Sequence, residues 1–249
     1  MIFALLFAAL FALSGGGSPY LVPKMDKYVK KCLVDKEREK QVLILLKESK
    51  KERKMYVKAE KKLGKEMESL FNCRETSQVQ FDTLFIEVIE TRENYQLKSQ
   101  QVAAEVQKHI TREEWGDIKL LIKKDLIKTE KTLEKKSIKT DKDYDKLRKN
   151  VEKIVEKKEE RDRVLGALDH FKKSADGTFQ SMVKMVFDED AAHYQYEVSQ
   201  TDLIKFQSEI NTGVEELLKA LAQLHFKLLE ATTEQEWKKL HKKNLSMPF

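Results

Sequence analysis

The chain has 249 residues, of which 36% are charged, and its formal net charge at pH 7 is +6. It contains only 8 glycines and 3 prolines, which favours long helices over a turn-rich β-fold, and its hydrophobic fraction of 41% is too high for a disordered chain. Lysine and glutamate alternate along most of the length, as on solvated helix faces, and no arginine-rich or aromatic-interleaved basic segment is present, which argues against a nucleic-acid-binding protein.

An uncharged apolar run opens the chain, over residues 2–13, and Ser-Gly-Gly-Gly-Ser follows it. This length matches the hydrophobic region of a signal peptide and is shorter than the roughly 20 residues that span a bilayer. Ala12 and Ser14 are the small residues of a cleavage site after Ser14. The sequence therefore predicts a signal peptide over residues 1–14 and export to the periplasm or extracellular space. Retention as an N-terminal membrane anchor is the alternative.

Residues 27–51 are the most informative stretch because the chain repeats them. Shifted by 122 positions without a gap, they align with residues 149–173, and the same shift places Trp115 on Trp237, the only two tryptophans. Apolar residues in both stretches recur at three- and four-residue steps, which predicts an amphipathic helix. The sequence therefore predicts two tandem copies of one helical unit.

Each copy is expected to begin with a helical hairpin. The first helix is predicted to begin at Pro19 or Pro23, since proline is acceptable in a first helical turn, and Thr140-Asp141 is the matching start of the second copy. The segment Ser174–Gly177 has the composition of a helix-breaking turn. We therefore expect a hairpin turn there and, by the repeat, near Glu52–Arg53.

The turn is followed by the second helix of the hairpin and then by a third long helix. In the first copy the second helix covers residues 55–70, and the third long helix ends near His109, or near Glu230 in the second copy. A break near Ser77 and Ser199 separates the second helix from the third. The apolar phase also continues across this break, so a single long helix is the alternative.

Thr111 and Thr233 begin the last element of each copy, Thr-x-x-Glu-Trp. A glutamate three residues after a threonine is typical of a capping box, so we interpret each element as a capped short helix that docks Trp115 or Trp237 on the bundle. The element resembles the Leu-Thr-x-x-Gln elements of the Spy/CpxP envelope-stress chaperones over these few residues, without their glutamine. This resemblance implies a chaperone-like, client-binding role as an alternative function.

The copies are joined by a lysine-rich segment that is expected to stay helical and to hold the two halves as a rod. The predicted organisation is a first helical unit over residues 15–124, a charged connector over 125–139 and a second unit over 140–246. The predicted fold class is all-α, with two tandem, internally duplicated antiparallel helical-bundle units built from long amphipathic helices.

The two cysteines, Cys32 and Cys73, are equidistant from the turn expected at Glu52–Arg53. Residues equidistant from an antiparallel turn lie at the same height, and export favours thiol oxidation. The sequence therefore predicts a disulfide between Cys32 and Cys73. Two separate buried thiols are the alternative.

The sequence holds little that indicates chemistry. Asp190 and His193 have the carboxylate-x-x-His spacing of helical di-metal sites, but the equivalent stretch of the first copy has no histidine, so no metal site is predicted. There is no glycine-rich phosphate loop, no Gly-x-Ser-x-Gly elbow and no Cys-x-x-Cys pair. We therefore expect a protein that is not an enzyme and that needs no cofactor.

Helical bundles of this kind act mainly through their surfaces. The sequence therefore predicts an exported, non-enzymatic scaffold, assembly subunit or protein-interaction module of the cell envelope, with a protein partner and without nucleic acid. A chaperone-like client binder is the first alternative. Peripheral binding to a membrane surface, through the N-terminal segment or the lysine-rich connector, is the second. The sequence leaves the oligomeric state open.

Overall fold

The structure is a computed structural model that describes residues 22, 24–188 and 195–241. The described residues are helical and include no strand, which confirms the predicted all-α class. The helices are α1 (Met25–Cys32), α2 (Lys36–Asn72), α3 (Gln78–Lys108), α4 (Arg112–Ile154), α5 (Lys158–Phe187), α6 (Gln200–Glu230) and α7 (Glu234–Leu240). At about 1.5 Å rise per residue, the 37 residues of α2 extend about 55 Å and the 43 residues of α4 about 65 Å.

Two long antiparallel pairs, α2 with α3 and α5 with α6, are the most extensive helix contacts, and the pairs meet where α3 crosses α6. The rings of Tyr56 on α2 and Tyr95 on α3 stack with their centroids 4.4 Å apart, at mid-length of the first pair. Helix α4 packs at its start on α1 and at its end on α5 and α7, so it connects the two ends of the molecule.

The hydrophobic core is divided into two clusters. One lies among α1, the start of α2, the end of α3 and the start of α4, and it contains Trp115. The other, larger cluster contains Trp237 and includes the end of α2, the start of α3, the end of α4 and helices α5 to α7. Each cluster therefore combines side chains from helices that are far apart in the chain.

The main helix boundaries recur at the offset of the sequence repeat. Helices α2 and α5, α3 and α6, and α4 and α7 begin 122 positions apart, and α3 and α6 also end 122 positions apart. The predicted break at Ser77 and Ser199 is confirmed, because these residues are the N-caps of α3 and α6. The predicted ends near His109 and Glu230 are confirmed as well.

The predicted hairpin turns are wrong. Glu52–Arg53 lies inside α2 and Ser174–Gly177 inside α5, so each predicted pair of helices is one unbroken helix. A glycine inside a helix costs about 1 kcal/mol, which is small beside the burial of Phe171 and Met182 on either side of Gly177. Both segments therefore continue as helix.

Two other predicted boundaries also move. The predicted start at Pro19 or Pro23 falls on residues outside the described part of the chain, and the first described helix begins at Met25. The Thr-x-x-Glu-Trp element forms a short helix, α7, only in the second copy. In the first copy the helix that Thr111 caps is α4, which continues through the connector to Ile154. Thr140-Asp141 therefore lies inside α4 and starts no helix.

Two predicted features lie outside the described residues. These are the apolar run over residues 2–13, with its predicted cleavage site, and the pair Asp190 and His193. Among the helices that are described, none is both apolar enough and long enough to cross a membrane.

Candidate functional site

The structure does not bring the two cysteines together. Cys32 ends α1 and Cys73 caps the end of α2, so the whole length of α2 separates them, and both thiols are free. The predicted disulfide depended on a turn at Glu52–Arg53, and that turn does not exist. Cys73 is exposed and its Sγ lies 3.3 Å from Glu75 Oε2. The alternative of two buried thiols does not hold for Cys73 either.

Thr111 and Thr233 cap their helices in the same way. The Thr111 hydroxyl accepts from Glu114 N at 3.2 Å while Glu114 Oε2 accepts from Thr111 N at 2.9 Å. The corresponding distances for Thr233 and Glu236 are 3.3 and 2.8 Å. Both are capping boxes, as the sequence predicts. Trp115 and Trp237 are buried in the two core clusters.

Each capping glutamate also binds the loop that precedes the antiparallel pair of its own half. Glu114 Oε1 accepts from Val34 N at 3.4 Å, and Glu236 Oε1 accepts from Glu156 N at 3.0 Å. In the first half Arg38 adds a two-pronged ion pair to Glu114, at 2.7 and 2.8 Å. Burial alone would raise the pKa of Glu114, but the hydrogen bonds from Arg38 and Thr111 lower it to about 2.

The loop of each half binds the far end of the other half. After α2, Arg74 Nη2 donates to Thr232 O at 2.8 Å, and its guanidinium lies 5.7 Å from the centre of the Trp237 ring. Between α5 and α6, the Tyr196 hydroxyl donates to Ile110 O at 2.8 Å. Arg74 and Tyr196 are 122 positions apart, as are Ile110 and Thr232. We call these two contacts the clasps.

A buried polar layer lies where α3 crosses α6. The side chains of Gln96 and Asn211 exchange two hydrogen bonds, at 3.1 and 2.9 Å, and Gln100 Nε2 donates to Gln207 Oε1. A step of four residues forward on α3 is thus a step of four residues back on α6, so the helices run antiparallel. Buried amides must pair, so a slip of this register would leave them unsatisfied.

Arg92 is the central residue of the layer and is only 2% exposed. Its Nε donates to Asn211 Oδ1 at 3.3 Å and its Nη1 to the Tyr56 hydroxyl at 3.2 Å, while Glu60 Oε1 lies 3.5 Å away. The Tyr56 hydroxyl donates to the same Glu60 oxygen. One guanidinium therefore connects α2, α3 and α6.

The Glu60 carboxyl is poorly satisfied. Its Oε2 is buried and has no hydrogen-bond partner within the described part of the chain. Burial raises the pKa of Glu60 to about 7, although the Tyr56 hydrogen bond and the Arg92 charge act against this rise. Perturbed carboxyls occur at functional sites and also in structural ion pairs. Here the groups that lie within hydrogen-bond distance of Glu60, Tyr56 and Arg92, belong to the contact between α2 and α3.

A second group of buried polar atoms surrounds the Arg74 clasp. His225 Nδ1 donates to Phe71 O at 3.0 Å and His241 Nδ1 to Trp237 O at 3.0 Å. Burial lowers the pKa of both histidines, so both are neutral near pH 7. The described residues contain no group of three or more His, Cys, Asp or Glu side chains that could hold a metal ion.

The exposed side of α3 carries a row of large apolar residues. Val79, Ile86 and Leu97 are 72%, 59% and 55% exposed, and the exposed Glu90 and Glu93 lie between them on the same side of the helix. We call these five residues the α3 face. Exposed single hydrophobic residues are common, but a row on one helix side is a candidate interaction surface.

Helix α6 provides an internal comparison for the α3 face. The residues that match Val79, Ile86 and Leu97 at the 122-residue offset are all polar: Thr201, Ser208 and Lys219. The two helices occupy corresponding places in their halves, so packing alone does not explain the apolar row. The candidate functional site is therefore the α3 face. The buried polar layer, which pairs α3 with α6, holds this helix in place.

Sequence reasoning missed the layer, the clasps and the α3 face. The signal for Arg92 was present, because it lies in helical phase with the core-facing Phe85, Val88 and Tyr95. The α3 face could have been found by comparing the exposed positions of the two copies. In comparisons with known proteins, no family model matches the chain, and neither a curated protein nor a solved structure is significantly similar to it.

Proposed function

We propose that this protein is an exported, non-enzymatic scaffold or protein-interaction module that binds a protein partner through the α3 face. The observation that carries the proposal is the contrast between the apolar row on α3 and the polar residues at the matching positions of α6. A body made of long, firmly joined helices is suited to hold such a surface in a fixed place.

The proposal includes a tandem duplication of one antiparallel helical unit. Three observations support it: the matching helix boundaries, the two identical capping boxes, and the two clasps related by the same offset of 122 residues. Each clasp joins a loop of one half to the end of the other, which is the reciprocal pattern of a two-fold arrangement. Under this proposal the two halves correspond to each other, and a loop of each half binds the end of the other.

A rigid body is expected from the contacts between the halves. The polar layer fixes the register of α3 on α6, and the clasps hold both ends. Buried polar groups that pair only in one register favour a single arrangement. We infer that the α3 face moves little relative to the rest of the molecule, so that a partner meets a preformed surface.

The proposal is tested by capture of partners from the native envelope with chemical crosslinking and mass spectrometry. The test variant carries Val79→Lys, Ile86→Lys and Leu97→Lys, and the control carries Thr201→Lys and Ser208→Lys on α6, where Lys219 already provides the third lysine. We expect the wild type and the control to capture the same partner in fixed stoichiometry, and the test variant to lose it. Equal capture by all three proteins would contradict the proposal.

The same three proteins distinguish a scaffold from a chaperone-like client binder. A client binder should suppress the aggregation of unrelated unfolded proteins, and the α3 lysine variant should do so less well. Under the scaffold proposal none of the three suppresses aggregation.

The export part is tested separately by N-terminal sequencing of the protein from its native cells, for which we expect a new N-terminus at residue 15.

A further inference from the structure

A second exposed apolar row lies on α4. Leu120 and Ile127 are 59% and 45% exposed and are seven residues apart, so they lie on one side of the helix. Lys123, Lys124 and Lys131 are exposed on the same side. We call these five residues the α4 face. It is basic, as is the chain as a whole with its net charge of +6.

The α3 face has the opposite charge. Four exposed carboxylates, Asp82, Glu87, Glu90 and Glu93, lie beside Val79, Ile86 and Leu97, and the only basic residue of that stretch, Arg92, is buried. Val79 and Ile86 are also seven residues apart, the same spacing as Leu120 and Ile127. A seven-residue apolar spacing with flanking charges of opposite sign is the pattern by which two helices pair side by side.

We propose that the α3 face of one molecule binds the α4 face of a second copy of this chain. The same chain carries both complementary rows, and the apolar residues of both rows are exposed in the described molecule. This inference rests on the proposed function, because it names the partner of the α3 face.

The contact is expected to be weak and sensitive to salt. One helix laid against another covers less than the roughly 800 Å² per partner of a standard interface, so association in the micromolar range or weaker is expected. Exposed charges steer the encounter and are screened by salt, so high ionic strength reduces the association. The two faces differ, so the contact is heterologous and extends into chains unless it closes on itself.

Charge reversal of each face tests the inference by sedimentation velocity over a concentration series of the full chain. One variant carries Glu87→Lys, Glu90→Lys and Glu93→Lys, and another carries Lys124→Glu and Lys131→Glu. We expect the wild type to self-associate, each variant alone to stay monomeric, and an equimolar mixture of the two to associate again, because the reversed faces then complement each other. Circular dichroism melts that match the wild type show that both variants fold.

A matched control carries the same type of change on α6, with Glu209→Lys, Thr212→Lys and Glu215→Lys, which lie 122 positions after the three α3 glutamates. This control should associate like the wild type. The inference is overturned if the wild type is monomeric at all concentrations, if either variant alone associates like the wild type, or if the mixture does not associate.

Vesicles that contain phosphatidylserine test the rival use of the α4 face. Binding that the Lys124→Glu, Lys131→Glu variant loses, with no self-association of the wild type, assigns that face to a lipid surface and overturns the inference. The proposed function can survive this outcome. A monomeric wild type that still captures a different envelope protein, in a manner that depends on Val79, Ile86 and Leu97, refutes the second copy as partner but leaves the α3 face in place.

Discussion

At the scale of single residues, the contact between Glu60 and Arg92 makes the stability of the core depend on pH. Both side chains are largely buried, and Arg92 has the amide and hydroxyl partners that hold it in place. Glu60 has one oxygen without a partner in the described structure. Ionised Glu60 is therefore the costly member of this pair, and its protonated form suits the site better.

The substitution Glu60→Gln tests this directly. Because the folded-state pKa of Glu60 is raised from 4.5 to about 7, the folded protein binds this proton more tightly than the unfolded chain does. The stabilisation is complete below the unfolded pKa and is lost as the pH rises through about 7. Glutamine cannot ionise, so the variant should gain stability relative to the wild type between pH 5 and pH 8, by on the order of 3 kcal/mol.

Urea unfolding at a series of pH values measures this difference. His225 and His241 act in the opposite direction, since their lowered pKa values make the folded protein less stable as the pH falls below their usual range. Both histidines are present in the wild type and in the variant, so their contribution cancels in the comparison. A difference in unfolding free energy that does not change with pH would show that Glu60 titrates normally.

At the scale of elements, capping residues were predictable and helix continuity was not. Ser77, Ser199, Thr111 and Thr233 begin helices through local side-chain hydrogen bonds, which depend only on nearby residues. The turns expected at Glu52–Arg53 and Ser174–Gly177 failed because a polar run or a glycine is tolerated on the exposed side of a packed helix. That tolerance comes from tertiary contacts with α3 and α6.

Gly177→Ala distinguishes the helix from the turn. A Cβ at this position meets no atom within 4 Å, so alanine fits without strain and has the higher helix propensity. We expect the free energy of unfolding to rise by about 0.5–1 kcal/mol in urea titrations. Gly213→Ala is the control, because its Cβ would lie 3.2 Å from Met182 Sδ and from Thr178 Cγ2, which reduces the gain. Destabilisation by Gly177→Ala would indicate a turn.

At the scale of the whole molecule, the repeat was visible in the sequence but its assembly was not. Matching helices and capping boxes follow from the 122-residue offset. The clasps and the amide pairs of the polar layer form between residues more than 80 positions apart, such as Tyr196 with Ile110 and Gln96 with Asn211. No local pattern predicts such pairs. They form because α2 is long enough to extend from the core cluster that contains Trp115 to the cluster that contains Trp237.

The continuity of α2 can be measured with the two native cysteines, which are both free and lie at opposite ends of this helix. Spin labels on Cys32 and Cys73 report their separation by double electron–electron resonance without any substitution. An unbroken α2 predicts a narrow distance distribution centred at about 50–60 Å. A distribution below about 20 Å, as a hairpin at Glu52–Arg53 would give, would contradict the long helix, the clasps and the rigid scaffold that depend on it.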